Sequence, residues 1–152
     1  MTSVCYDTLA RQTEALFAGE DNLIAAMANF SALINENLEN LNWAGFYLVE
    51  HEQLILGPFQ GKVACTRIPM GKGVCGTAAH TNTTQRVADV HQFEGHIACD
   101  SASNSEIVIP MRRDGKVIAV LDIDSPLLNR FDQADQNGLE LVLKTLENAL
   151  FA

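Results

Sequence analysis

The stretch Glu106-Ile107-Val108-Ile109-Pro110-Met111-Arg112, followed by Lys116-Val117-Ile118-Ala119-Val120-Leu121-Asp122-Ile123 beyond an Asp114-Gly115 pair, decides the fold class. Asp-Gly suits a two-residue hairpin turn, whose central residues both need positive φ. The aliphatic runs on either side therefore read as paired antiparallel strands. Working outward, Trp43 to Val49 is aromatic and aliphatic between polar turns and predicts another strand. Gln53 to Leu56 predicts a short one ended by Gly57-Pro58, and Lys62 to Ile68 and Gln85 to Val90 predict two more. Helical spacing frames them. Tyr6, Leu9, Thr13, Leu16 and Phe17 form one stripe that stops at Gly19. A second helix is expected to start at an Asp21 cap and to bury Leu23, Met27, Phe30, Leu33, Ile34 and Leu38. Val74 to His80 predicts a short helix, and Asp132 caps a last one striped by Leu139, Val142, Leu143, Leu146 and Leu150. Hairpin connections between many strands imply an α+β fold, an antiparallel sheet flanked by helices, in a single domain over residues 1–152.

Composition narrows the partners. A net charge of −9 is unsuited to nucleic acid or an anionic membrane surface. No secretory leader pattern and no apolar run of membrane-spanning length is evident. The expectation is a cytoplasmic protein whose cysteines stay reduced, so catalytic, sensing or metal roles outrank structural disulfides. Cys5, between Val4 and Tyr6, is expected to be a packing residue.

Cys99 stands in a polar stretch, Glu94-Gly95-His96-Ile97-Ala98-Cys99-Asp100-Ser101, where a thiol is reachable. Cys65 and Cys75 precede it. Asp122 and Asp124, two apart on a strand, share a face, and the hairpin count from the turn brings Glu106 near them. Three neighbouring acids repel, so one should keep its proton or the group should bind a cation such as a substrate ammonium. In Gly71-Lys72-Gly73-Val74-Cys75-Gly76 a loop feeds a helix N-terminus, with Gly73 and Val74 at its start, where backbone N–H groups suit a carboxylate; tight-turn glycines are the alternative. Trp43 and Tyr47 share a strand face and either wall a pocket or fill the core. The cysteines and histidines lack the close pairs of a structural zinc site. Together these residues suggest thiol redox chemistry on a small zwitterion.

Trp43-Ala44-Gly45-Phe46-Tyr47, Gly57-Pro58-Phe59-Gln60-Gly61, Gly71 to Gly76 and Leu121-Asp122-Ile123-Asp124-Ser125, in that order, resemble the free methionine-R-sulfoxide reductases, a GAF-domain family. The resemblance implies a six-stranded antiparallel sheet and a substrate, free methionine sulfoxide. It implies Cys99 as nucleophile, Cys65 as resolving thiol and Cys75 as a second candidate resolver. Glu106, Asp122 and Asp124 would bind and polarise the substrate, and Trp43 and Tyr47 would contact its S-methyl end. It further implies recycling by a thioredoxin-type reductant, with no metal or organic cofactor; a homodimer is a possible assembly. The competing readings are a GAF module that senses a small ligand without turning it over, and a cysteine redox sensor.

Overall fold

The structure, a computed structural model, describes residues 4–97 and 102–151. Helices α1 (Tyr6–Phe17) and α2 (Leu23–Asn37) lead into strands β1 (Trp43–Glu50), β2 (Gln53–Gly61) and β3 (Arg67–Pro69). Helix α3 (Gly73–Thr81), β4 (Gln85–Val87), a 3₁₀ turn at Val90–Gln92, the hairpin β5 (Ser105–Arg113) and β6 (Lys116–Ser125), and α4 (Gln133–Phe151) follow. The strands form one antiparallel sheet in the order β3-β2-β1-β6-β5-β4. The α+β expectation holds. Among the described residues no helix is long and apolar enough to cross a membrane.

Both faces of the sheet are covered, which explains why its central strands are apolar nearly throughout. On one face Phe46, Ile107, Leu121 and Ile123 pack against Leu9 and Phe17 of α1, Met27, Phe30 and Ile34 of α2, and Leu139, Val142 and Leu146 of α4. The other face carries a smaller cluster: Trp43, Tyr47, Leu54, Val108 and Val120 against Ile68 and the α3 residues Val74, Cys75 and Ala78. Asp114 and Gly115 have φ of 53° and 78°, as an Asp-Gly hairpin turn requires. Asp132 caps α4 reciprocally: its Oδ1 accepts from the Asp135 N–H at 2.8 Å, and Asp135 Oδ2 accepts from the Asp132 N–H at 3.0 Å.

Five details depart from the sequence-based expectation. The α2 cap is Asn22 rather than Asp21, its side chain accepting from the Ala25 N–H at 2.9 Å. Strand β2 does not stop at Gly57-Pro58 but runs to Gly61. The register against β1 shifts there, between Gly45 and Tyr47, so Pro58 falls in an irregular step where its missing N–H costs no ladder bond. Residues 62–66 are not strand: the Trp43 indole N–H donates to the Lys62 carbonyl at 3.2 Å and the Tyr47 hydroxyl to the Cys65 carbonyl at 3.0 Å. Side chains, not a neighbouring strand, satisfy those carbonyls. Strand β4 ends at Val87, because the chain turns into the Val90–Gln92 helical turn capped by Asp89. Cys5 is exposed, not packed; it stands at the N-cap of α1, where the Thr8 hydroxyl donates to its sulfur at 3.1 Å.

Candidate active site

A cavity of about 500 Å³, counting the space open to solvent, lies on the α3 side of the sheet. Trp43 and Tyr47 of β1, Glu106 of β5, Asp122 and Asp124 of β6, and Gly73, Val74 and Cys75 of α3 all line it. Thus all the described side chains expected at the site except Cys65 meet in one place. Cys65 is not part of that lining, but its carbonyl accepts from the hydroxyl of Tyr47, which is. Cys99 lies outside the described residues.

The acids converge because of a ladder irregularity. Near the turn Arg113 pairs with Lys116 and Arg112 with Val117, but Met111 pairs with Ala119 and Glu106 with Asp124. Counting regularly from the turn would place Glu106 opposite Ile123, whose side chain points to the helices. Ile118 is the extra residue. This bulge puts Glu106 on the face of Asp122 and Asp124. All three are buried, at 7, 5 and 8% exposure. Burial, then the neighbouring Asp122 and Asp124 charges and their hydrogen bonds, pushes the Glu106 carboxyl well above the usual carboxylate range. Burial beside two acids thus favours the protonated form of Glu106.

The Cys75 thiol is free, fully desolvated and 4.0 Å from Glu106 Oε2. Burial and the adjacent Asp122, Glu106 and Asp124 carboxylates push it well above the ordinary thiol value, so it remains unionised. Cys65 is disulfide-bonded. Burial and the same carboxylates likewise hold Tyr47 in its protonated, donor form.

The apolar wall is a stack. Trp43 lies between Tyr47 (centroids 5.8 Å apart, planes at 23°) and Phe59 (5.0 Å, 15°). Gly45 makes room for Phe59: a Cβ there would stand 2.3 Å from the Phe59 Cβ and 2.7 Å from its Cα. Helix α3 begins at Lys72 and Gly73 with no side-chain cap, so its first-turn N–H groups lack intrahelical partners where Gly73, Val74 and Cys75 line the cavity. Gly73 has φ of 64° and its Cα faces Ile97. His96, Ile97, Ser103, Ala64, Ile68 and Lys72 also line the space. The stretch quoted for Cys99 also holds His96 and Ile97, to which the sequence assigned no individual role in a pocket. Burial, and then the neighbouring His91, lowers the His96 pKa, so its imidazole is neutral at pH 7. The cavity is thus lined by three carboxyls, by the first turn of α3 with Lys72, and by an aromatic wall. That lining offers acidic groups and free backbone donors within one cavity, the charge complement of a small zwitterion.

A family model described as the GAF domain matches residues 27–150. The free methionine-R-sulfoxide reductase of Escherichia coli is 55% identical over 145 residues, covering 95% of this chain and 88% of that protein. The reduced form of fRMsr of Staphylococcus aureus superposes with a TM-score of 0.94 at 54% identity, over 99% of each chain. A free methionine-R-sulfoxide reductase from Neisseria meningitidis, in complex with its substrate, gives 0.90 at 44% identity, over 95% of this chain and 87% of that one.

Proposed function

Because the chain belongs to the free methionine-R-sulfoxide reductase family of GAF-domain proteins, an oxidoreductase family, we propose how its own residues perform the reduction. That kinship sets aside the purely ligand-sensing reading. The substrate is the free amino acid, its ammonium held by Asp122 and Asp124 and its carboxylate by the open N–H groups of Gly73 and Val74. Trp43 and Tyr47 wall the S-methyl end. The buried trio of carboxyls carries this reading, because one member keeps its proton and can donate it.

The Cys99 thiolate attacks the sulfoxide sulfur while protonated Glu106 donates to the sulfoxide oxygen. In net terms the oxygen passes to Cys99, which becomes a sulfenic acid, and methionine is released. The Cys65 thiol then condenses with the sulfenic acid, forming a disulfide and expelling water. A thioredoxin-type dithiol reduces that disulfide by exchange and is itself oxidised, in the reducing cytoplasm, so the cycle requires no metal or organic cofactor. Cys65 being disulfide-bonded while Cys75 is a free, unionised thiol favours Cys65 as the resolver. Cys75, the other candidate, is held too firmly protonated to attack quickly.

The test is turnover with dithiothreitol. Wild type releases methionine from free methionine sulfoxide; Cys99→Ser binds the substrate without turning it over. Cys65→Ser releases methionine in a single turnover but cycles slowly with thioredoxin. Substantial steady-state activity in Cys99→Ser defeats the mechanism, and peptide mapping that joins Cys75 to Cys99 reverses the roles of Cys65 and Cys75.

A further inference from the structure

We propose that Cys75, Glu106 and Asp122 form a site for a thiophilic divalent cation of the zinc and cadmium class, which sits among the acids lining the cavity and excludes the substrate. One donor atom from each of the three residues lies within 4.8 Å of the other two, and all three residues are buried. Zinc, with about 2.3 Å to sulfur and about 2.0 Å to oxygen, holds tetrahedral neighbours ~3.5 Å apart. The 4.0 Å between Cys75 Sγ and Glu106 Oε2 is therefore closed by a movement of about half an ångström.

An acid cluster alone would not make a site. The independent observation is Asp122 Oδ1: it is buried, lines the cavity, and has no hydrogen-bond partner among the described residues. A buried acceptor left unpaired costs roughly 1–3 kcal/mol, so a cation in reach of it gains a ligand already stripped of water. The sulfur decides which cation. Three oxygens would favour calcium or magnesium, whereas a sulfur with two carboxylates favours zinc or cadmium. The fourth position faces the cavity and is left to water. On binding, the Cys75 and Glu106 protons pass to solvent, leaving the +2 ion against three anionic ligands.

The mechanism does not use Cys75, and its thiol survives in the state where Cys65 is disulfide-bonded. The site is thus intact in the oxidised protein, where Cys65 cannot ligate. Binding itself does not depend on the reductase reading; only the competition with substrate rests on it.

The experiment uses the oxidised full chain carrying Cys5→Ser, which removes the exposed thiol as a background ligand, and titrates it with Cd²⁺. The expected result is a thiolate-to-cadmium ultraviolet charge-transfer band that saturates at one ion per chain and that Mg²⁺ does not displace. Cys75→Ser eliminates the band. Asp122→Asn keeps the sulfur and weakens binding at least about tenfold. Far-ultraviolet circular dichroism checks that each variant is folded, and Asp122→Asn carries the test if Cys75→Ser does not fold. Absence of the band in the parent protein, its survival in Cys75→Ser, or unchanged affinity in Asp122→Asn overturns the proposal. Added methionine should raise the apparent dissociation constant for Cd²⁺. If Cd²⁺ binds but methionine has no effect, the site stands and the assignment of the ammonium to the acids falls.

Discussion

Glu106 concentrates the tension in this molecule, because a carboxyl whose pKa is raised by folding works against the folded state whenever it is asked to ionise. The folded protein binds more protons than the unfolded chain from about pH 4.5, the unperturbed value, upward to its raised folded-state pKa, so stability falls as pH rises through that window. Glu106→Gln keeps the hydrogen-bonding shape and has no proton to lose. Its melting temperature relative to wild type should therefore increase with pH above about 4.5, measured by calorimetry. Turnover should show the opposite preference. Glutamine is a far weaker acid, so kcat falls by about 10²–10⁴-fold, and the wild-type rate declines at high pH as Glu106 ionises. A melting difference independent of pH would mean that Glu106 is charged in the fold. Gly45 is the other residue whose identity is forced: Gly45→Ala drives a methyl into the Phe59 backbone and displaces the Phe59–Trp43 stack, an overpacking cost of about 1–3 kcal/mol in denaturant unfolding.

At the scale of elements, the hairpin teaches most about what could be read in advance. Asp114-Gly115 announced the turn, and the acids on β6 stood on a common face by alternation alone. The slip at Ile118 left no trace, because Val117, Ile118, Ala119 and Val120 are all apolar and no polar residue marks where alternation breaks. Ile118 and Ala119 both contribute to the helix-side core, whereas Val117 and Val120 face the cavity side. Deleting Ile118 therefore restores strict alternation with Met111 still opposite Ala119 and Glu106 still opposite Asp124. The deletion should keep methionine affinity within a few-fold and cost about 1–2 kcal/mol for the partly buried side chain, read by calorimetric titration and chemical denaturation. Loss of binding would show that the bulge also aims the strand. The misjudged edges have a similar origin. Residues 62–66 contain Val63 and Ala64 and look extended, but the Lys62 and Cys65 carbonyls accept from Trp43 and Tyr47, distant side chains that no local pattern reveals. Helix α4 was legible almost to the residue, since its start is a local capping box and its stripe a simple period.

Across the whole molecule, the sheet divides the labour: the larger, helix-packed core on one face supports a site built wholly on the other. The cavity's remaining wall comes from the connection between β4 and β5, where Ile97 approaches Gly73, His96 joins the lining, and His91 Nε2 lies 3.0 Å from Asn104 Oδ1. Backbone bonds that hold the described parts of this connection, residues 91–97 and 102–104, include Val90 N–H to the Asn104 carbonyl and His96 N–H to that of Phe93. Methionine filling the cavity should slow hydrogen exchange there, whereas α1 and α4 exchange unchanged. Equal rates with and without methionine would mean that the wall is preformed. The same enclosure predicts selectivity: N-acetyl-methionine sulfoxide lacks the ammonium that the acids require, so kcat/KM should drop by at least about thirtyfold, equivalent to roughly 2 kcal/mol or more. Comparable rates for the two compounds would refute an ammonium seat at the acids.

The two border strands of the sheet, β3 and β4, have only three residues each, and β3 ends in Pro69. An open border is where a sheet recruits foreign backbone, and these borders present too few free amides and carbonyls to template another chain. Fibrillar growth and strand exchange are thereby discouraged, although the central strands are rich in β-branched and aromatic residues. Self-association of this protein, where it occurs, must proceed through side-chain faces rather than by extending the sheet.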